Sequence, residues 1–169
     1  MSPRGYTEVI SLFRAKALTN NGLIALSNDF PMGGEGWHSM KLRFNIAITI
    51  GTGAGAVSEG ELRYIKNIYI KTDRGEILCM LPGRALYKIA TIRSGSPPRK
   101  DAIAAATGTY RVDLPIYFSD DALLRPEDTI LDTRRYSSLE LHVTLGSISD
   151  LITTPGTATV DSVTLDCEV

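Results

Sequence analysis

The sequence has no apolar run near the 18 or so residues that a membrane-spanning helix requires. Its first thirty residues also lack a charged start followed by an unbroken apolar block, so neither insertion nor export by a signal is expected. Cysteine is nearly absent. Cys79 and Cys167 stand far apart and outside any C-x-x-C pair, which excludes a thiolate metal cluster and a disulfide framework. A Cys79–Cys167 bond, a bridge between subunits and two free thiols all remain open at this stage. The two histidines, His38 and His142, are equally isolated, and both are expected to face solvent: His38 beside Trp37, and His142 on the polar side of its strand. No G-x-S-x-G or comparable elbow is present, so nucleophilic catalysis by a Ser-His-Asp set has no support. A formal charge of −1, with Lys and Arg scattered and only Arg4, Arg14 and Lys16 near the start, gives no basic arm for nucleic acid.

What remains is ordinary globular material. In 169 residues, 43% are hydrophobic and 22% charged, with no linker or internal repeat, so a single domain over residues 1–169 is expected. A domain of this length buries roughly 70% of its unfolded surface and needs no staple.

The dominant period is two. In "KLRFNIAITI", Leu42, Phe44, Ile46, Ile48 and Ile50 alternate with Lys41, Arg43, Asn45, Ala47 and Thr49, the mark of a strand with one face in the core. "ELRYIKNIYIKTD" alternates less well; with "TDRG" as a turn and "EILCML" after it, residues 62–81 read as a hairpin. "TYRVDLPIYF", "SSLELHVTLG" and "ATVDSVTLDCEV" add three strands, and "TEVISLFRA" and "GLIAL" bring the total to eight. One helix is expected in "LPGRALYKIATI", opened by Pro82 and with Leu86, Ile89 and Ile92 at helical spacing; "RSGSPPRKD" ends it.

Residues 51–56 pose the one enzymatic question. Gly51, Gly53 and Ala56 have the spacing G-x-G-x-x-A of a dinucleotide-binding loop, and Asp73 lies about twenty residues on, where a ribose ligand belongs. Such a loop follows a strand apolar on both faces, yet Lys41, Arg43 and Asn45 line this one. It also opens a long crossover helix, and here Gly60 and the β-rich "YIKNIYI" leave no room. Gly51, Gly53 and Gly55 therefore read as a connection between antiparallel strands.

Two other chemistries are weak. Asp120, Asp121, Glu127, Asp128 and Asp132 crowd one loop without the spacing of an EF-hand, and "RPEDT" reads as the first turn of a short helix; whether the loop binds a cation is left open. Trp37 and the seven Tyr are not grouped as a sugar-binding surface would require. No catalytic, cofactor-binding or metal-binding residue is assigned, and no cofactor is expected.

Eight alternating strands with one short helix predict an all-β fold, a single antiparallel jelly roll of the sandwich or barrel kind. Residues 112–145 sharpen this: an apolar, proline and aromatic strand end (Leu114, Pro115, Tyr117, Phe118), an acidic bend, and a Leu-Pro turn (Leu124, Pro126). A short apolar step (Ile130, Leu131), an aromatic (Tyr136) and a long alternating strand (Leu139 to Leu145) follow. The segment resembles capsid proteins of the jelly-roll lineage of tailless icosahedral double-stranded DNA viruses with an internal membrane. Arg125 departs from the usual apolar residue, and the length suits one barrel, as in the bacteriophages and haloarchaeal viruses that use two different major capsid subunits. The resemblance implies a virion coat protein without enzymatic activity. Its expected partners are copies of itself, a second capsid subunit and an internal viral membrane, with no direct nucleic-acid contact. The competing expectation is a carbohydrate-binding or host-recognition β-sandwich module.

Overall fold

The computed structural model describes residues 9–18, 22–27, 36–51, 54–104, 106–119, 130–153 and 158–169, with residues 22–27 described by their backbone. The strands are β1 (Ser11–Leu18), β2 (Gly22–Ser27), β3 (Gly36–Trp37), β4 (Ser39–Thr49), β5 (Ile65–Thr72), β6 (Ile77–Leu81), β7 (Gly108–Tyr117), β8 (Leu131–Asp132), β9 (Leu139–Leu145) and β10 (Thr159–Glu168). Helix α1 covers Gly60–Tyr64 and α2 covers Gly83–Ser94.

The strict alternation of β4 sets the architecture. Met40, Leu42, Phe44, Ile46 and Ile48 are all buried, and the intervening residues face outward, so β4 presents one dry face. It pairs antiparallel with β10 on one side and β7 on the other, within a sheet ordered β1-β10-β4-β7. The second sheet is ordered β2-β9-β5-β6, again antiparallel. Apart from the β5–β6 hairpin, successive strands of the two sheets alternate between them, and this makes the sandwich a jelly roll. Its core joins Phe44, Val112, Leu114, Val163 and Leu165 of the first sheet to Ile68, Ile70, Leu141 and Val143 of the second. All eight expected strands occur in these two sheets; β3 and β8 form a separate small pair, Gly36 opposite Asp132 and Trp37 opposite Leu131.

Two local expectations need correction, and one expected irregularity has a structural cause. Residues 62–64, read as the start of the hairpin, belong to α1 (Gly60–Tyr64), so the hairpin spans β5 and β6 only. The poor alternation of β5 has a cause: Ile65 pairs with Leu145 and Asn67 with Thr144, so a bulge inserts one residue and brings Ile65, Ile68 and Ile70 to the same side. Helix α2 begins after Pro82 and ends at Gly95 (φ 69°) as expected, but it buries Gly83, Leu86 and Ala90. Ile89 and Ile92 are 40% and 81% exposed. The small residues win because the helix backbone comes close: a Cβ at Gly83 would lie 2.9 Å from the Ile65 Cβ.

Sheet edges are treated differently. Along β1 the pairing with β10 shifts register twice, Ala15 adopts φ 48°, and the Ala15 N–H donates to Asp166. Beyond β7, residues 99–101 form a cover strand: the Asp113 N–H donates to the Arg99 carbonyl (2.9 Å) and the Asp101 N–H to the Arg111 carbonyl (2.8 Å).

Candidate functional site

The outer face of the first sheet carries the strongest electrostatic feature. Cross-strand pairing places Arg43 of β4 between Asp113 of β7 and Asp166 of β10, and sets Lys41 opposite Glu168. Asp113 is 5% exposed and accepts two hydrogen bonds from the Arg111 guanidinium, at 2.8 and 2.7 Å. Lys41 Nζ and Arg43 Nε stand 3.6 and 3.7 Å away. Burial pushes the Asp113 carboxyl up, but Arg111, Lys41 and Arg43 outweigh it and hold the group below the usual carboxylate range. Arg43 also lies 3.7 Å from Asp166 and 3.9 Å from Glu168. Every cation in this ladder faces a carboxylate, so the face is polar without a surplus of positive charge. A hollow at its margin, lined by Lys41, Pro97, Pro98, Arg99 and Tyr117, is of the same mixed character.

A second polar centre lies inside the flank. Glu61 of α1 is 1% exposed, and Lys100 Nζ donates to it at 2.7 Å while standing 5.8 Å from the Tyr87 ring centre. The hydrogen bond from Lys100 to Glu61 raises the ammonium pKa. Arg84 of α2 meets Glu59 at 2.7 Å, so two ion pairs tie α1 to the segment that follows β6.

The sequence candidates for chemistry fall apart spatially. Gly51 and Gly55 lie between β4 and α1, Gly53 lies outside the described residues, and Ala56 bridges to Ile152. The strand before them is antiparallel to both neighbours and the helix after them has five residues, so among the described residues the parallel strand and crossover helix of a dinucleotide-binding unit do not occur. Asp73 instead accepts hydrogen bonds from the backbone N–H and the hydroxyl of Ser137, and these hold its pKa low. Cys79 and Cys167 are free; burial pushes Cys167 up to about 12, and the Glu168 charge adds to this.

His38 is exposed as expected, but His142 is 7% exposed. Its ring stacks on Tyr69 of β5 at 4.5 Å and 7°, and Nε2 meets Glu140 at 2.9 Å. A cross-strand aromatic neighbour buries a residue that alternation alone places in water. Trp37, on which a sugar-binding surface would depend, is 7% exposed and paired opposite Leu131. Asp120, Asp121, Glu127 and Asp128 lie outside the described residues; Asp132 bonds Arg134 at 2.9 Å. Among the described residues no group of three or more His, Cys, Asp or Glu is arranged to hold a metal.

No family model matches the sequence, and no curated protein sequence does either. Solved structures do match. The crystal structure of the Sulfolobus Turreted Icosahedral Virus major capsid protein aligns with a TM-score of 0.72 at 10% identity, covering 97% of this chain and 47% of that one. In the atomic structure of the same virus, a chain aligns at 0.68, 10% identity, 95% and 44%. The VP54 protein of PBCV-1, fitted into a reconstruction of the virophage Sputnik, aligns at 0.56, 12% identity, 99% and 43%. These neighbours are from archaeal and algal viruses rather than bacteriophages. The chain thus has the jelly-roll fold seen in viral major capsid proteins, and spans less than half the length of the solved chains it matches.

Proposed function

We propose that this chain is a coat subunit of a tailless icosahedral virus, acting through surfaces rather than through a reaction. The observation that carries the reading is the alignment of 97% of the chain with the major capsid protein of the turreted virus. Residues 1–169 would form a single jelly roll that meets copies of itself and a second capsid subunit in the shell. The ladder of Lys41, Arg43, Arg111, Asp113, Asp166 and Glu168 supports a face that does not bind nucleic acid, because its cations are already neutralised. A viral membrane beneath such a shell would separate the coat from the genome.

Quantitative mass spectrometry of purified particles tests the reading. The chain should be among the most abundant proteins of intact virions, in copy number proportional to the shell. Its absence from particles, or presence only in traces, would overturn the proposal.

A further inference from the structure

Three sheet edges have described side chains, and two of them are blocked. Edge strands offer unpaired N–H and C=O groups to any other strand, and bulges, charges or covering segments prevent this. β1 has two register shifts and the charged side chains Arg14 and Lys16. β7 lies under residues 99–101. β6 has neither device in comparable form. It reads Ile-Leu-Cys-Met-Leu, with no Lys, acid or Pro, and a single bulge at its Ile77 end leaves Cys79–Leu81 regular. Among the described residues its strand pairing is with β5 alone.

Beside this edge an apolar strip adjoins the Lys71–Glu140 pair opposite Ile77. Ile77 and Met80 are 52% and 55% exposed, and Met80 sits opposite Tyr69, on which His142 stacks. A row from His142 through Tyr69 to Met80 therefore runs out to the free edge. Resting on the coat-subunit reading, we infer that β6 is a contact between two copies of this chain, the edge of one pairing antiparallel with the same edge of the other.

The charges flanking β6 select that partner and that direction. Before the strand stand Asp73, Arg74 and Glu76, net negative; after it stand Arg84, Lys88 and the Glu59 that Arg84 holds, net positive. Antiparallel pairing about a two-fold axis sets the acidic flank of each copy against the basic flank of the other, and parallel pairing would set like against like. The contact is isologous, so it closes at two copies and adds no further strand.

Sedimentation of the purified chain over a range of concentrations, with hydrogen exchange of residues 76–82, tests the inference. A concentration-dependent dimer is expected, with slower amide exchange of residues 76–82 in the dimer than in dilute monomer. Met80→Lys should weaken the dimer by about tenfold or more, the effect of burying one unmatched polar group. Val9→Lys, which removes a 73% exposed apolar side chain elsewhere, should leave it intact. A wild-type chain monomeric throughout, a dimer unaffected by Met80→Lys, or exchange at 76–82 independent of concentration would each overturn the inference. Exchange is read on the unaltered chain, so the question is decided even if a variant fails to fold. Particle composition is a separate measurement, so the coat reading stands or falls apart from this result.

Discussion

Lys100 and Glu61 form an ion pair of 2.7 Å across the flank of the sandwich, between the cover strand beside β7 and the first turn after the glycine-rich connection. Because Arg99 and Asp101 on either side hydrogen-bond to β7, the pair pins that cover in place. Lys100→Met leaves the Glu61 carboxylate buried without a cation. We predict a loss of about 3 kcal/mol, at the lower end for a broken buried pair because Lys100 is partly exposed. The double variant Glu61→Leu, Lys100→Met should recover most of it. Urea unfolding of the three chains checks the order, and a Lys100→Met chain as stable as the parent would refute it.

Asp113 links stability to pH. Its folded pKa lies below its unfolded value, so its contribution is complete above the ordinary carboxylate range. It is lost as pH falls from about 4, the unfolded value, through the lower folded value. Arg111→Met removes the strongest partner of the carboxylate and should flatten the acid limb of a stability-against-pH curve. An unchanged acid limb would show that the Arg111 pair does not set it.

The thiols should differ in reactivity. Cys167 is fully buried with its pKa pushed to about 12, while Cys79 lies half-buried on the edge strand with a smaller rise from burial. A thiol reagent at neutral pH should modify Cys79 first and reach Cys167 only on unfolding. For Cys167 the folded pKa exceeds the unfolded one, so its linkage contribution is present below pH 9 and declines as pH rises from there towards 12. Mass spectrometry of the labelled chain reads the order directly; equal rates at both sites would contradict it.

Gly83 permits the close approach of α2. A Cβ there would meet the Ile65 Cβ at 2.9 Å and the Leu62 carbonyl at 3.1 Å, both on unyielding backbone or branched positions. Gly83→Val should cost about 1–3 kcal/mol through overpacking, measured by thermal or urea denaturation. Ile92→Ser, at an exposed site on the same helix, should change stability by less than about 0.5 kcal/mol.

Strands such as β4 and β9 were legible because they alternate buried with more exposed positions, and alternation records burial directly. Met40 to Ile48 and Leu139 to Leu145 are the plainest examples. Where an extra residue interrupts pairing, the record blurs: the bulges at Ile65–Asn67 and Val160–Ser162 account for both irregular patterns. Helix α1 was missed because five residues give too short a window for a helical period. The buried face of α2 was misassigned because Gly83 and Ala90 have little hydrophobic weight in the sequence, yet their smallness is what admits the helix.

Surface function was less legible than fold. The Asp113–Arg43–Asp166 ladder joins residues from three strands far apart in the chain, and register sets it rather than any local spacing. His142 shows the same limit, since its burial depends on Tyr69 across the sheet. The antiparallel setting of the strand before the glycines at 51–56 was legible, because its polar alternation marks a strand with one solvated face.

The position of β4 has a consequence for biogenesis. Both strands that flank it, residues 108–117 and 159–168, are translated long after it, so its five core side chains must await most of the polypeptide before they find cover. Such distant pairing makes for slow folding and prolonged exposure of a sticky ribbon. Production of this polypeptide should therefore depend on chaperone capacity and on low synthesis temperature more than the modest size of the molecule would suggest.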